Sequence, residues 1–264
     1  MASTLSRMPA QPADATQTAV VSLIAPLFAR DPGGRSWLPG LLAACPGARA
    51  RLGELVDDPG WLEVPLAVET ETGMLGAFSY PSAAGRELLR WYIDHPSRLT
   101  RPPSDADASP EMRVLRRALL DDDPPGSRAR AQDRARDLLR SSTPRAATWW
   151  RFEEPGRLDC VLLTERFAIS ITAPDERGGL RPATPWYPGR SELVRDLEAA
   201  RRLAGGRAWA GLLISDAVPP VPLDPDDPAT VEAGTPHLDA AGRADVAGAY
   251  LGRLTLDRAR AAVG

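Results

Sequence analysis

Apolar residues fall into helical spacing soon after a polar start. Val20, Leu23, Ile24 and Leu27 mark one face of a helix over Ala15–Arg30, and Asp31-Pro32-Gly33-Gly34 stops it. A second helical stretch runs from Trp37 to Val56 with a break at Pro46. Trp61–Tyr80 reads as short strands or irregular chain around the polar run Glu69-Thr70-Glu71-Thr72-Gly73. Ala83–Ile93 is helical in pattern. Ser109-Pro110-Glu111 then supplies an N-cap, a proline at the first helical position and an acidic first turn, which predicts a helix to about Leu120. Asp121-Asp122-Asp123-Pro124-Pro125-Gly126 ends it. A further helix, rich in Arg and Ala, reaches Leu139 with Ala131, Ala135 and Leu138 on one face, and its Asp and Arg residues are spaced to pair with one another.

The pattern then changes to strands. Thr148–Phe152, Leu158–Thr164 and Phe167–Ile171 are rich in aromatic or branched residues, and Glu165-Arg166 joins the last two tightly enough for a hairpin. Arg190–Ala204 places Leu193, Leu197, Ala200 and Ala204 on one helical face, and the apolar run Ala208–Ile214 predicts a buried strand beside it. Five prolines between Ser215 and Gly234 predict a loop, and Leu238–Tyr250 and Thr255–Val263 predict two closing helices. The expected class is α/β, bordering on α+β, with a mixed central sheet flanked by helices. Residues 1–14 are expected to be a flexible tail, without the apolar stretch of a signal peptide. Residues 15–264 form one globular domain, divided into an N-terminal part, 15–82, and a core, 83–264.

Composition narrows the function classes. All 32 basic residues are arginine, so Schiff-base chemistry and a lysine general base are excluded; the bias itself fits the coding preference of a GC-rich genome. A net charge of −3 provides no global cationic field for nucleic acid or an anionic membrane, and no stretch approaches the ~20 apolar residues of a membrane helix. Cys45 and Cys160 match no metal-ligand spacing, which makes a reduced cytoplasm the expected location. His95 and His237 read as capping or loop residues, and Trp149-Trp150 as packing residues.

Asp159 is the residue that asks for chemistry. Strand alternation puts it with Val161 and Leu163, opposite Leu158, Cys160 and Leu162, so a carboxylate shares an apolar face and needs a metal, a cation or strong hydrogen bonds. Around it stand Trp150, Phe152 and Glu153, then Leu158-Asp159-Cys160-Val161-Leu162-Leu163-Thr164, Trp186-Tyr187-Pro188-Gly189-Arg190 and Leu193-Val194-Arg195-Asp196-Leu197-Glu198-Ala199-Ala200. Pro236-His237-Leu238 and Leu251-Gly252-Arg253-Leu254-Thr255 follow. In this order the segments resemble a family of mostly uncharacterised bacterial proteins in the PD-(D/E)XK, or restriction-endonuclease-like, superfamily, from about Arg86 onward.

That resemblance implies a restriction-endonuclease-like core in which an aspartate on the second strand and a Glu-x-Lys on the third hold Mg²⁺ and orient a water. Asp159 matches the aspartate, but Thr172 stands at the glutamate position and Pro174 at the lysine position. Asp159, Thr172 and Pro174 therefore read as a vestigial site, and no cofactor is expected. Mg²⁺ or Mn²⁺ would enter only if a migrated acid, Glu153 or Glu176, joined Asp159. Asp175 and Arg177 offer a shifted acid-x-base pair, but Pro174 ends the strand and arginine is a poor proton acceptor.

Where the family tends to carry a glutamine and, three residues on, an arginine, this chain has Glu192 and Arg195, spaced to neutralise each other. Glu192, Arg195 and Arg190 are the expected binding residues. The leading expectation is a pseudoenzyme acting as a binding or structural protein toward another protein or nucleic acid, with no membrane role. The alternatives are an active metal-dependent phosphodiesterase and a non-catalytic nucleic-acid binder on an arginine groove.

Overall fold

The chain in its computed structural model is described for residues 15–62, 68–70, 73–75, 81–103, 108–141, 148–154, 156–173, 180–216 and 228–264. The expected tail, 1–14, lies outside these residues. Helix α1 (Ala15–Arg30) leads to α2 (Leu38–Ala44), α3 (Ala48–Leu52) and a 3-10 turn at Gly53–Val56. Asp31 closes α1, because its carboxylate accepts the backbone N–H groups of Gly33 at 3.1 Å and Ser36 at 2.7 Å. Two strands, β1 (Val68–Thr70) and β2 (Gly73–Leu75), pair antiparallel, and β3 (Pro81–Ser82) precedes α4 (Arg86–Asp94). Next come α5 (Pro110–Asp121) and α6 (Ser127–Ser141). Ser109 caps α5 by accepting from the Met112 N–H at 3.2 Å, as the Ser-Pro-Glu start predicts.

Five strands and four helices complete the described chain: β4 (Gly156–Arg157), β5 (Cys160–Leu163), β6 (Phe167–Thr172), α7 (Glu192–Ala204), β7 (Ala208–Ile214), α8 (Pro228–Gly234), α9 (Ala240–Gly248), β8 (Tyr250–Leu254) and α10 (Leu256–Val263). The main sheet has the order β5-β6-β7-β8. Its first pair is the antiparallel hairpin expected around Glu165-Arg166, and β6-β7 and β7-β8 run parallel. The class is α/β with a mixed sheet between helices.

Alternation along the strands assigns the two faces. Cys160, Leu162, Phe167, Ile169, Ile171, Ala210 and Leu212 pack under α1, α2, α3 and α10. Val161, Leu163, Ala168 and Trp209 face α7, where Leu193, Val194 and Leu197 cover them. Leu158 belongs to the α7 face as well, against the expected alternation, because β5 begins only at Cys160 and the chain before it is not pleated. A third apolar cluster joins α4, α5 and α6 to Trp150, Phe152, Trp186 and Tyr187.

Three expectations are corrected. Thr148–Phe152 is a turn, with the Arg151 N–H bonded to the Thr148 carbonyl at 2.9 Å; its aromatic rings are buried among helices and do not line a ladder. Part of the proline-rich 215–234 segment forms α8. A strand, β8, separates the two closing helices; one extra residue opposite β7 and Gly252 at φ +101° interrupt its period of two, so its pattern is hard to read.

The contact of α7 with β7 is close at Gly211, where an added Cβ would lie 2.5 Å from Leu197 Cδ2 and 3.1 Å from Ser170 Oγ. Gly211→Ala is expected to destabilise the protein by about 1–3 kcal/mol through overpacking, measured by urea unfolding.

Candidate functional site

Asp159 sits where β5 begins and β6 ends. Its Oδ2 accepts the Ala173 N–H at 2.9 Å, one residue beyond the last strand residue, so it caps the ladder. Thr172 is wholly buried. The alternation that sends Phe167, Ile169 and Ile171 to the other face turns Thr172 toward α7, and its hydroxyl donates to Asp196 Oδ2 at 2.9 Å. The strand position where the resemblance expects a metal-binding acid thus holds a hydroxyl committed to a helix carboxylate.

Helix α7 brings Glu192 and Asp196, four residues apart, to the same side. Glu192 binds Arg181 twice, Oε1 accepting its backbone N–H and Oε2 its Nε–H, each at 3.0 Å. Arg195 donates to Asp196 Oδ1 at 3.0 Å and to the Arg157 carbonyl at 3.3 Å. The expected Glu192–Arg195 pair is therefore replaced. The bridge between Pro182 and Ser191 lays Arg181 against the start of α7, and a two-point partner displaces a one-point one.

These acids feel one another. Burial, aided by the charge of Asp159, pushes the Asp196 carboxyl up to about 7 against the pull of Arg195 and Thr172. Burial also raises Glu192, again with Asp159 adding to it. Both carboxylate oxygens of Asp196 and of Glu192 bond within the protein, and Asp159 is held by the Ala173 N–H. Among the described residues no three His, Cys, Asp or Glu side chains are arranged to hold a metal. Pro174 and Glu176, with Asp175 and Arg177, lie outside the described residues.

Glu153 and Arg190 belong to a second cluster. Arg190 has no exposed surface; its Nε donates to Glu153 Oε2 at 2.8 Å, and its Nη1 lies 2.5 Å from Glu198 Oε2 and donates to the Gly234 carbonyl at 3.0 Å. Tyr92 donates to Glu153 at 3.1 Å, and His237 Nε2 meets Glu198 Oε1 at 2.9 Å. Burial would raise Glu198, but Arg190 and His237 outweigh it and hold the carboxyl at about 2. Arg190 is thus a buried structural cation, and Glu192, Arg195 and Arg190 do not form one surface. Sequence reading passed over Asp196 and Glu198, although two acids flanking Leu197 on a helix whose apolar residues face a sheet were a readable signal.

No known protein family, curated protein or solved structure matches this chain.

Two outcomes follow from the geometry. Asp196 keeps its proton to about 7 in the folded chain and loses it near 3.8 when unfolded, so its contribution is fully present below pH 3.8 and is lost as pH rises to about 7. Asp196→Asn is expected to flatten that fall, read from denaturant midpoints across pH 4 to 8. Arg190→Leu leaves Glu153 and Glu198 buried without their cation, and a loss of about 3–5 kcal/mol is expected in the same assay.

Proposed function

We propose that this chain is a catalytically inactive member of the restriction-endonuclease-like fold, a cytoplasmic binding or structural protein without a cofactor, whose partner is another protein or nucleic acid. The observation that carries this reading is the hydrogen bond from Thr172 to Asp196. A nuclease of this kind needs an ionised acid at that strand position, open to a hard cation. Here the strand supplies a hydroxyl, and the neighbouring helix acid holds its proton to about 7. Arg181 and Arg195 occupy the oxygens a cation would need. Glu153, the described candidate for a migrated acid, is neutralised by Arg190.

A second reading has one observation in its favour: the charge of Asp159 acts on both Glu192 and Asp196, so three acids adjoin at the sheet end. They are not arranged to hold a metal as they stand, so a metal-dependent phosphodiesterase would require Mg²⁺ or Mn²⁺ to draw the two α7 acids off Arg181 and Arg195 toward Asp159. Incubation with single- and double-stranded DNA and RNA in Mg²⁺ or Mn²⁺ separates the two. No cleavage is expected; cleavage that Asp159→Asn abolishes would overturn the inactive reading.

A further inference from the structure

We infer that the cavity between α4 and α8 is a binding site for a small planar aromatic anion. The cavity measures about 500 Å³, within the range of small-molecule sites. Its walls are unequal. On one side Trp91 stacks on His95 with ring centroids 4.7 Å apart and planes at 18°, and meets Tyr187 edge-on at 5.4 Å. On the other side α8 presents Ala229 and Ala233, and Pro236 follows. Small residues facing an aromatic wall leave room for a flat ring.

The polar groups set the sign of the ligand. Arg98 lines the cavity, where its positive charge acts on the Tyr187 hydroxyl, and no carboxylate among the described residues pairs with it. Glu232, the acid in the lining, has Arg243 at 3.3 Å, which offsets its charge. His95 Nδ1–H donates to the Trp91 carbonyl at 3.0 Å, so Nε2 of the neutral ring is an acceptor and the charge of an anion falls to Arg98. A guanidinium that no acid among the described residues pairs, beside two aromatic rings and an imidazole, suits a carboxylate or phosphate carried on a ring.

The site is also held in shape. Arg190 bonds the Gly234 carbonyl at the end of α8, His237 follows Pro236 and meets Glu198, and Tyr92 beside Trp91 bonds Glu153. Both walls are thereby tied to one buried ion cluster, which lowers the ordering cost of binding. The inference does not depend on whether the Asp159 cluster cuts phosphodiesters.

Calorimetric titration with naphthoate and with adenosine monophosphate tests it and distinguishes a carboxylate from a nucleotide source. Saturable binding of at least one probe is expected, weakened about tenfold by Arg98→Gln and abolished by Ala233→Trp, while the thermal midpoint of each variant stays at the wild-type value. Uncharged adenosine is expected to bind more weakly than its monophosphate. The inference is overturned if neither probe saturates at millimolar concentration, or if both variants bind as the wild type does.

Discussion

Arg190 is a cation with no exposed surface, and the arrangement around it follows from the cost of burying that charge. Glu153 and Glu198 answer it from opposite sides, at 2.8 and 2.5 Å. They come from different parts of the chain: Glu153 follows the Trp-rich turn that packs on α4, α5 and α6, and Glu198 lies midway along α7 on the sheet. The Gly234 carbonyl brings in α8, and Tyr92 brings in α4. If one of these segments is displaced, a charge is left unpaired in the interior. The ion cluster therefore joins the helical subcluster to the sheet layer by a requirement stricter than apolar packing, which tolerates small shifts.

At the other end of α7 the same economy works without an interior cation. Asp159, Glu192 and Asp196 gather where β5 and β6 meet the helix, and they are quieted by a backbone N–H, a hydroxyl, two arginines and a retained proton. Such a cluster ties a strand end to a helix start. A hydrolytic metal site needs the reverse arrangement, with charged oxygens left open and the positive charge supplied from outside.

Much of the framework was legible in the chain. Ser109-Pro110-Glu111 announced α5, Glu165-Arg166 announced the hairpin, and the apolar run Ala208–Ile214 announced the inner strand, because capping, tight turns and burial leave local marks. The turn at Trp149-Trp150 and strand β8 were misread or missed, because aromatic residues pack equally well in a strand or among helices, and a bulge at Gly252 erases the period of two in a five-residue strand. Asp159 could be singled out as a carboxylate on an apolar face. The resemblance set Thr172 beside it, but the pairing of Thr172 with Asp196 could not be read, since they are 24 positions apart and only the crossover from β6 through α7 brings them to 2.9 Å.

The sequence by itself determined the class of the fold, the absence of lysine chemistry, and the presence of an acid that needed partners. Only the tertiary structure decided which partners those were. Arg190 reads on paper like Arg195, yet one is sealed between two glutamates and the other lies along the Arg157 carbonyl. Glu192 spaces with Arg195 but binds Arg181. The physical reason is that hydrophobic periodicity acts over neighbouring residues and is written locally, whereas the pairing of charges depends on which segments the packed sheet and helices bring within a few ångströms.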